Sequence, residues 1–340
     1  MRLPSFEYLE PQTVEEACSL LSQTDAKVLA GGTELLVKMK QRIITPRALV
    51  NVKGIPGLDH IEATRDGGLS IGATATLRAV ATSPLVAGRF GLLAQAASAV
   101  GRPRLPYMAT LGGNLCLDSR CLYHNQSRLW KQSVTPCYKD GGDVCHVVKG
   151  SHHCSALFVA DTAPALIALG AKATIAGVKG STQMPLEDFY TSRGEQANVL
   201  QPGQLLTQIE IPAPPPHSVG VCLRYSPREA IDFAVVSVAV NLTLEMQTEV
   251  CQGALVALGS VGSGPLRTTE VEGALKGKAL EEGMLKAVGT LAAEEARPIP
   301  HSGFSAAYKR QLIEVLTKRA VRQAWQQARP AAPETRRGMK

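Results

Sequence analysis

Aromatic residues are scarce in this chain: Phe, Trp and Tyr make up 4% of its 340 residues. No run of about 18 apolar residues occurs, so no membrane-spanning helix is expected. The opening Met1-Arg2-Leu3-Pro4-Ser5-Phe6-Glu7 lacks the apolar core of a signal peptide, which makes the cytoplasm the default compartment. Internal repeats are absent. The formal net charge of +7 is not organised into an aromatic-interleaved basic stripe, and the densest basic cluster (Arg329, Arg336, Arg337, Lys340) lies in a Pro/Ala-rich tail. A solvated surface accounts for it better than nucleic-acid binding.

What is present is an ordinary globular composition, 45% hydrophobic and 19% charged, with 31 glycines and 21 prolines. The length allows two or three domains, since a single core stops growing near ~250–300 residues. Eight cysteines are many for a cytoplasmic chain, and they are clustered. Cys116, Cys121, Cys137, Cys145 and Cys154 share one segment with His124, His146, His152 and His153. In a reducing compartment such clustering favours metal binding over disulfides.

Thr13 to Leu21 has the spacing of a short helix, with Thr13 as cap and Glu16 at the capping-box position. Lys27-Val28-Leu29 is expected as a buried strand, Leu35 to Lys40 as a helix and Ala48 to Val52 as a second strand. Further on, Gly68–Ala73 and Ala171–Val178 read as strands, and Leu92–Val100 and Asp161–Ala168 as helices. From Leu117 to Cys154 the periodicity disappears. A run that long without regular structure is either functional or disordered, and its cysteines favour the first. Pro212 to Pro216 reads as a stiff linker. Strands over Val235–Leu244 and Gly253–Ser260 and an amphipathic helix over Ser305–Ala328 follow it.

Two glycine loops carry possible phosphate chemistry. Ala30-Gly31-Gly32-Thr33-Glu34 joins a strand to a helix, where backbone amides, a helix dipole and a threonine hydroxyl can meet an anion. It lacks the Gly-Lys-Ser/Thr of a Walker loop and the GxGxxG of nicotinamide sites. Thr110-Leu111-Gly112-Gly113-Asn114 offers a second set of small residues and polar donors. Either loop is equally readable as a plain turn.

Taken together and in this order, these segments resemble one family, the FAD-binding subunits of molybdenum hydroxylases. That group contains the medium subunit of carbon monoxide dehydrogenase and the middle domain of xanthine dehydrogenase. Ile71-Gly72-Ala73-Thr74-Ala75-Thr76-Leu77 resembles its "IGA-T-T-L" segment, Asp161 to Leu166 its "D-x-x-P-A-L" helix start, and Arg228 to Ala234 its "R-x-x-x-D-x-A" approach to a strand. The resemblance runs from Phe6 to about residue 325. It implies an α/β (α+β) architecture of the vanillyl-alcohol-oxidase (PCMH) type with a CO dehydrogenase flavoprotein-like C-terminal domain. The expected division is 1–55 and 56–215 for the FAD-binding subdomains, with an insert over 117–155. A C-terminal domain over 216–328 and a disordered tail over 329–340 complete it. The resemblance places FAD on Leu29, Ala30, Gly31, Gly32, Thr33, Glu34 and Leu35 and near Thr110, Gly113 and Asn114. Asp161 is then expected near the ribose or adenine. Arg224 stands where the family has a lysine near the flavin, and arginine is a planar donor rather than a compact charge.

The family's Ser-Pro piece after Gly-Gly-Asn is interrupted here by the cysteine insert. Cys121-x15-Cys137-x7-Cys145-x8-Cys154 meets the ligand requirement of a [4Fe–4S] cluster and also of structural zinc, although the tight knuckles of zinc modules are missing. Cys116 is read as a packing residue near the flavin, and Cys18, Cys222 and Cys251 as core. An insert of this kind resembles the flavin subunit of the 4-hydroxybenzoyl-CoA reductase subfamily. That resemblance implies a large molybdopterin subunit and a small subunit with two [2Fe–2S] clusters as partners, doubled into a dimer of trimers. Ferredoxin is the implied electron donor.

Overall fold

The structure is a computed structural model and describes residues 2–328 except Thr24, Arg102 and Met246; the expected tail over 329–340 lies outside these residues. Three sheets follow one another along the chain. The first is built from β1 (Glu7–Leu9), α1 (Val14–Gln23), β2 (Ala26–Leu29), α2 (Leu35–Lys40) and β3 (Ala48–Asn51), with the strands parallel in the order β1-β3-β2. Thr13 Oγ accepts from the Glu16 amide at 3.1 Å and so starts α1. The Glu16 carboxylate reaches the Gln12 amide instead of the Thr13 amide that a strict capping box would use.

The second unit carries β4 (Ile61–Ala63), β5 (Leu69–Gly72), α3 (Leu77–Thr82), α4 (Pro84–Arg89), α5 (Gly91–Ala99) and the short α6 (Leu111–Leu115). After the insert, which contains α7 (Arg128–Gln132), come α8 (Thr162–Ala168), β6 (Lys172–Gly177), β7 (Gly180–Pro185) and β8 (Leu205–Ile211). The sheet is antiparallel in the order β4-β5-β8-β6-β7. Helices α5 and α8 pack Leu92, Leu93, Leu166 and Ile167 into one core with Ile71, Phe158 and Phe189.

The third unit is an antiparallel sheet, β12-β11-β10-β9, of β9 (Ser218–Tyr225), β10 (Val236–Leu244), β11 (Cys251–Gly259) and β12 (Leu266–Arg267). Helices α9 (Thr269–Leu275), α10 (Glu282–Glu295) and α11 (Ala306–Ala328) complete it. β10 is a nearly unbroken buried run because helices cover both of its faces, α8 on one side and α11 on the other. Ile313, Leu316, Ala320, Val321 and Ala324 form the helical stripe by which α11 meets the sheet. Among the described residues no helix is long and apolar enough to cross a membrane.

Candidate cofactor cavity and cysteine insert

A cavity of about 540 Å³ opens between the β2–α2 loop, the turn before α6 and the start of α8. Ala30, Gly31, Gly32, Thr33, Glu34 and Leu35 line it from one side, and Thr110, Gly113 and Asn114 from the other. Gly31 has no room for a side chain, since a Cβ there would stand 2.0 Å from the Met108 carbonyl oxygen. Gly32 adopts φ +68°, the left-handed conformation that glycine tolerates best. The amides of Thr33, Glu34 and Leu35 find no acceptor among the described residues, so this loop keeps free donors at the cavity wall.

The second turn behaves differently. Its amides are already used: Gly113 donates to Thr110 Oγ at 3.1 Å and Gly112 to the Ala73 carbonyl at 2.8 Å. Asn114 Oδ1 accepts from the Thr162 amide and hydroxyl, which ties the turn to the start of α8. What this turn offers a ligand is the Thr110 hydroxyl proton and the Asn114 side-chain NH2, not a cradle of backbone amides.

Asp161 lines the cavity and is 6% exposed. Burial pushes its carboxyl up to about 6, against the opposing pull of Arg224. Its Oδ1 has no hydrogen-bond partner, and neither has the Oγ1 of Thr74, another lining residue. Arg224 stands behind Asp161, its Nε 3.6 Å from the carboxylate, with its Nη groups donating to the carbonyls of Ala99 and Asp232. Both Nη groups are therefore spent on backbone while Nε has no hydrogen-bond partner, and neither Arg224 nor Leu29 is among the lining residues. Cys116 does line the cavity, its thiol pushed up to about 12 by burial.

Residues 4–214 match the family of FAD-binding domains in molybdopterin dehydrogenases, and residues 221–324 match the CO dehydrogenase flavoprotein C-terminal domain. The chain belongs to this family of flavin subunits. It is 32% identical to the aldehyde oxidoreductase FAD-binding subunit PaoB of Escherichia coli, over 78% of this chain and 84% of that protein. It is 29% identical to the carbon monoxide dehydrogenase medium chain of Afipia carboxidovorans, over 94% and 96%. A solved carbon monoxide dehydrogenase from Hydrogenophaga pseudoflava superposes with a TM-score of 0.79 at 26% identity, covering 96% of this chain and 99% of the other. The flavin subunit is thus an oxidoreductase component. An FAD fits the residues present: a glycine loop with free amides, and two lining residues, Thr74 and Asp161, that each keep a buried polar atom without a hydrogen-bond partner.

The insert of this flavin subunit leaves and rejoins the second unit at a neck where Arg120 and Leu157 exchange backbone hydrogen bonds of 2.7 and 2.8 Å. Cys121 and Cys154 are buried side by side against Ala156, and Tyr138 and Val147 pack on the same spot. Tyr138 follows Cys137 in the chain and Val147 lies two positions after Cys145, whereas the Cys137 sulfur itself is grouped with His124 and Asp140 and not with the other thiols. Burial pushes the Cys145 thiol up, but the amides of Val148, Ser155 and Val147 and the Ser155 hydroxyl outweigh it and leave it lowered. Burial raises Cys137 and Cys154, and both sulfurs still face backbone amides, of Lys139 and Asp140 in one case and Ala156 in the other. None of the eight cysteines is in a disulfide. A set of thiols with N–H groups aimed at the sulfurs suits metal ligation.

Several residues here were not legible beforehand. His124 Nδ1, Cys137 Sγ and an Asp140 oxygen lie within 4.8 Å of one another and form a second possible ligand group. Lys38, Asp118, Arg120 and Lys139 form a charged network at the insert's root. Asp118 is held lowered because Lys139 and Lys38 outweigh the effect of its burial. His152 and His153 are exposed.

Proposed function

We propose that this flavin subunit is the electron-transfer component of a cytoplasmic molybdenum enzyme of the 4-hydroxybenzoyl-CoA reductase type. In this reading Cys121, Cys137, Cys145 and Cys154 hold a [4Fe–4S] cluster, and the 540 Å³ cavity holds FAD. The observation that supports it is the insert itself: four thiols in one segment, two of them buried side by side and three facing backbone amides. The complex would contain a large molybdopterin subunit and a small subunit with two [2Fe–2S] clusters, each present twice. Its reaction is the reductive removal of the phenolic hydroxyl of 4-hydroxybenzoyl-CoA, giving benzoyl-CoA in the anaerobic degradation of aromatics, with ferredoxin as reductant. Substrate would not touch this chain.

Bound flavin exchanges one or two electrons and a cluster exchanges one, so the pair converts between the two. The chain's own residues hold and space them. The insert exposes Leu122 and Leu129, 63% and 79% accessible, together with Arg128. Such a basic and apolar surface suits an acidic one-electron donor. The names of the relatives give them different substrates, so it is the insert that supports this particular one.

The competing reading is zinc, favoured by the His124–Cys137–Asp140 group. Iron, acid-labile sulfide and zinc per chain decide between them. About four iron atoms are expected in the wild type, lost in Cys137→Ser and kept in Cys116→Ser. Cys137→Ser should still take up FAD at saturating concentration. One zinc per chain and no sulfide would remove the cluster and the ferredoxin port together.

A further inference from the structure

The root of the insert is fastened to the first glycine loop by five charges. Glu34 lies 2.9 Å from Arg120 Nη1 and 3.5 Å from Lys38 Nζ. Lys38 Nζ is 2.7 Å from one oxygen of Asp118, and Lys139 Nζ is 2.6 Å from the other. Both lysine side chains are only 5% exposed. Lys139 also donates to the Ser119 carbonyl and hydroxyl. The Arg120 guanidinium lies over the Phe233 ring at 4.6 Å.

One end of this network is the flavin cavity, since Glu34, Lys38, Asp118 and Phe233 all line it. The other end is the cysteine insert, since Arg120 precedes Cys121 and the Lys139 amide faces the Cys137 sulfur. Asp118 is the shared member, holding one buried lysine from each end. Buried ammonium groups are costly without a carboxylate, so neither lysine can leave it cheaply. Loosening the loop around Cys137 therefore withdraws Lys139, unbalances Asp118, and disturbs Lys38 and Glu34 at the glycine loop.

We infer that Asp118 is a positioning residue that couples metal loading of the insert to FAD retention in the cavity. The inference rests on the reading of the two sites given above. Because coupling between binding sites is reciprocal, bound FAD should equally favour an ordered, loaded insert. A network that merely stiffened the protein would penalise each site on its own and would not link them.

The test is a double-mutant cycle on the full chain, purified with whatever subunits accompany it, read as the FAD dissociation constant from flavin fluorescence. Cys137→Ser, which removes a metal ligand, should raise that constant roughly 5–150-fold, the usual span of coupling between sites. Asp118→Asn should raise it too. In the double variant the two penalties should not multiply, because the link is already cut. Asp118→Glu, which keeps the carboxylate, should restore the dependence on Cys137. Arg120→Lys serves as a second variant, since it loses the Nη1 contact to both Glu34 oxygens and the ring contact while keeping charge, and it should weaken the dependence. Penalties that multiply, or a Cys137→Ser protein with unchanged FAD affinity, would overturn the coupling. A wild type that lacks FAD or metal overturns instead the reading on which it rests.

Discussion

Asp161 is a carboxyl group with little to support its charge. Arg224 comes to 3.6 Å without a hydrogen bond, and burial pushes the carboxyl from 3.8 up to about 6. Between those values the native chain binds a proton that the unfolded chain has lost, so this group's contribution to stability falls as pH rises through the window. It is fully unfavourable above about 6 and absent below about 3.8. Asparagine has no such titration. FAD-free Asp161→Asn should therefore gain on the wild type by up to about 2–3 kcal/mol at neutral pH, the gap closing toward pH 4. Urea midpoints of both proteins across that range check it, and a gap independent of pH would place Asp161 at its ordinary value. Asp161 was recognisable because it heads a helix in a motif. Arg120 and Asp118 were not, because their partners Glu34 and Lys38 are 86 and 80 positions away and the sequence around each looks like solvated surface. Arg224 shows what a motif leaves open: it marks a position near the cofactor, while the packing of β9 decides that both Nη groups go to backbone carbonyls and Nε faces Asp161.

The strand–loop–helix of β2 and α2 was readable almost to the residue, because a short apolar run, two glycines and a helix-forming run signal the turn locally. β8 shows what local signals miss. It pairs with β5 and β6, strands far from it in sequence, and its alternation says nothing of those partners. β7 is a polar, exposed edge strand and carries no hydrophobic signal at all. The insert was legible as an interruption of the family pattern, but its two-bond neck and its charged root were not. For the β2–α2 loop the expected outcome is direct. Gly32→Val puts a branched side chain at φ +68°, with its Cβ 2.9 Å from Leu36 Cδ1. A left-handed conformation costs an L-residue roughly 1–2 kcal/mol, more for a branched one, so the loop should shift away from its cofactor geometry. The cores of the second and third sheets do not depend on it, so far-UV circular dichroism should stay near wild type while the flavin absorbance per chain is lost. Stoichiometric FAD in purified Gly32→Val would show that the pyrophosphate lies elsewhere.

At the scale of the molecule, the flavin cavity and the insert sit side by side, joined through Glu34, Arg120 and Phe233. On the proposed reading, electrons gathered here leave through a neighbouring chain. The surface is compatible with one. Tyr107 and Met108 are 58% and 51% exposed on the turn whose carbonyl abuts Gly31, and Ile231 is 64% exposed at the cavity's edge. Apolar side chains placed around a cofactor mouth are poorly used in water and well used in an interface. Two of the relatives are themselves named as a medium chain and an FAD-binding subunit, names that fit a component of a larger enzyme. On the proposed reading the expected particle contains three different subunits, each in two copies, one of them this 36.1 kDa chain. Native mass spectrometry of the complex, purified through a tag on this chain from its own cells, measures both composition and stoichiometry. Partners carrying molybdopterin and [2Fe–2S] clusters should co-purify, and stripping them should slow flavin reoxidation by the rest of the electron path. A particle made of this chain alone, single or self-associated, would count decisively against an electron-transfer role and leave the cavity needing another explanation.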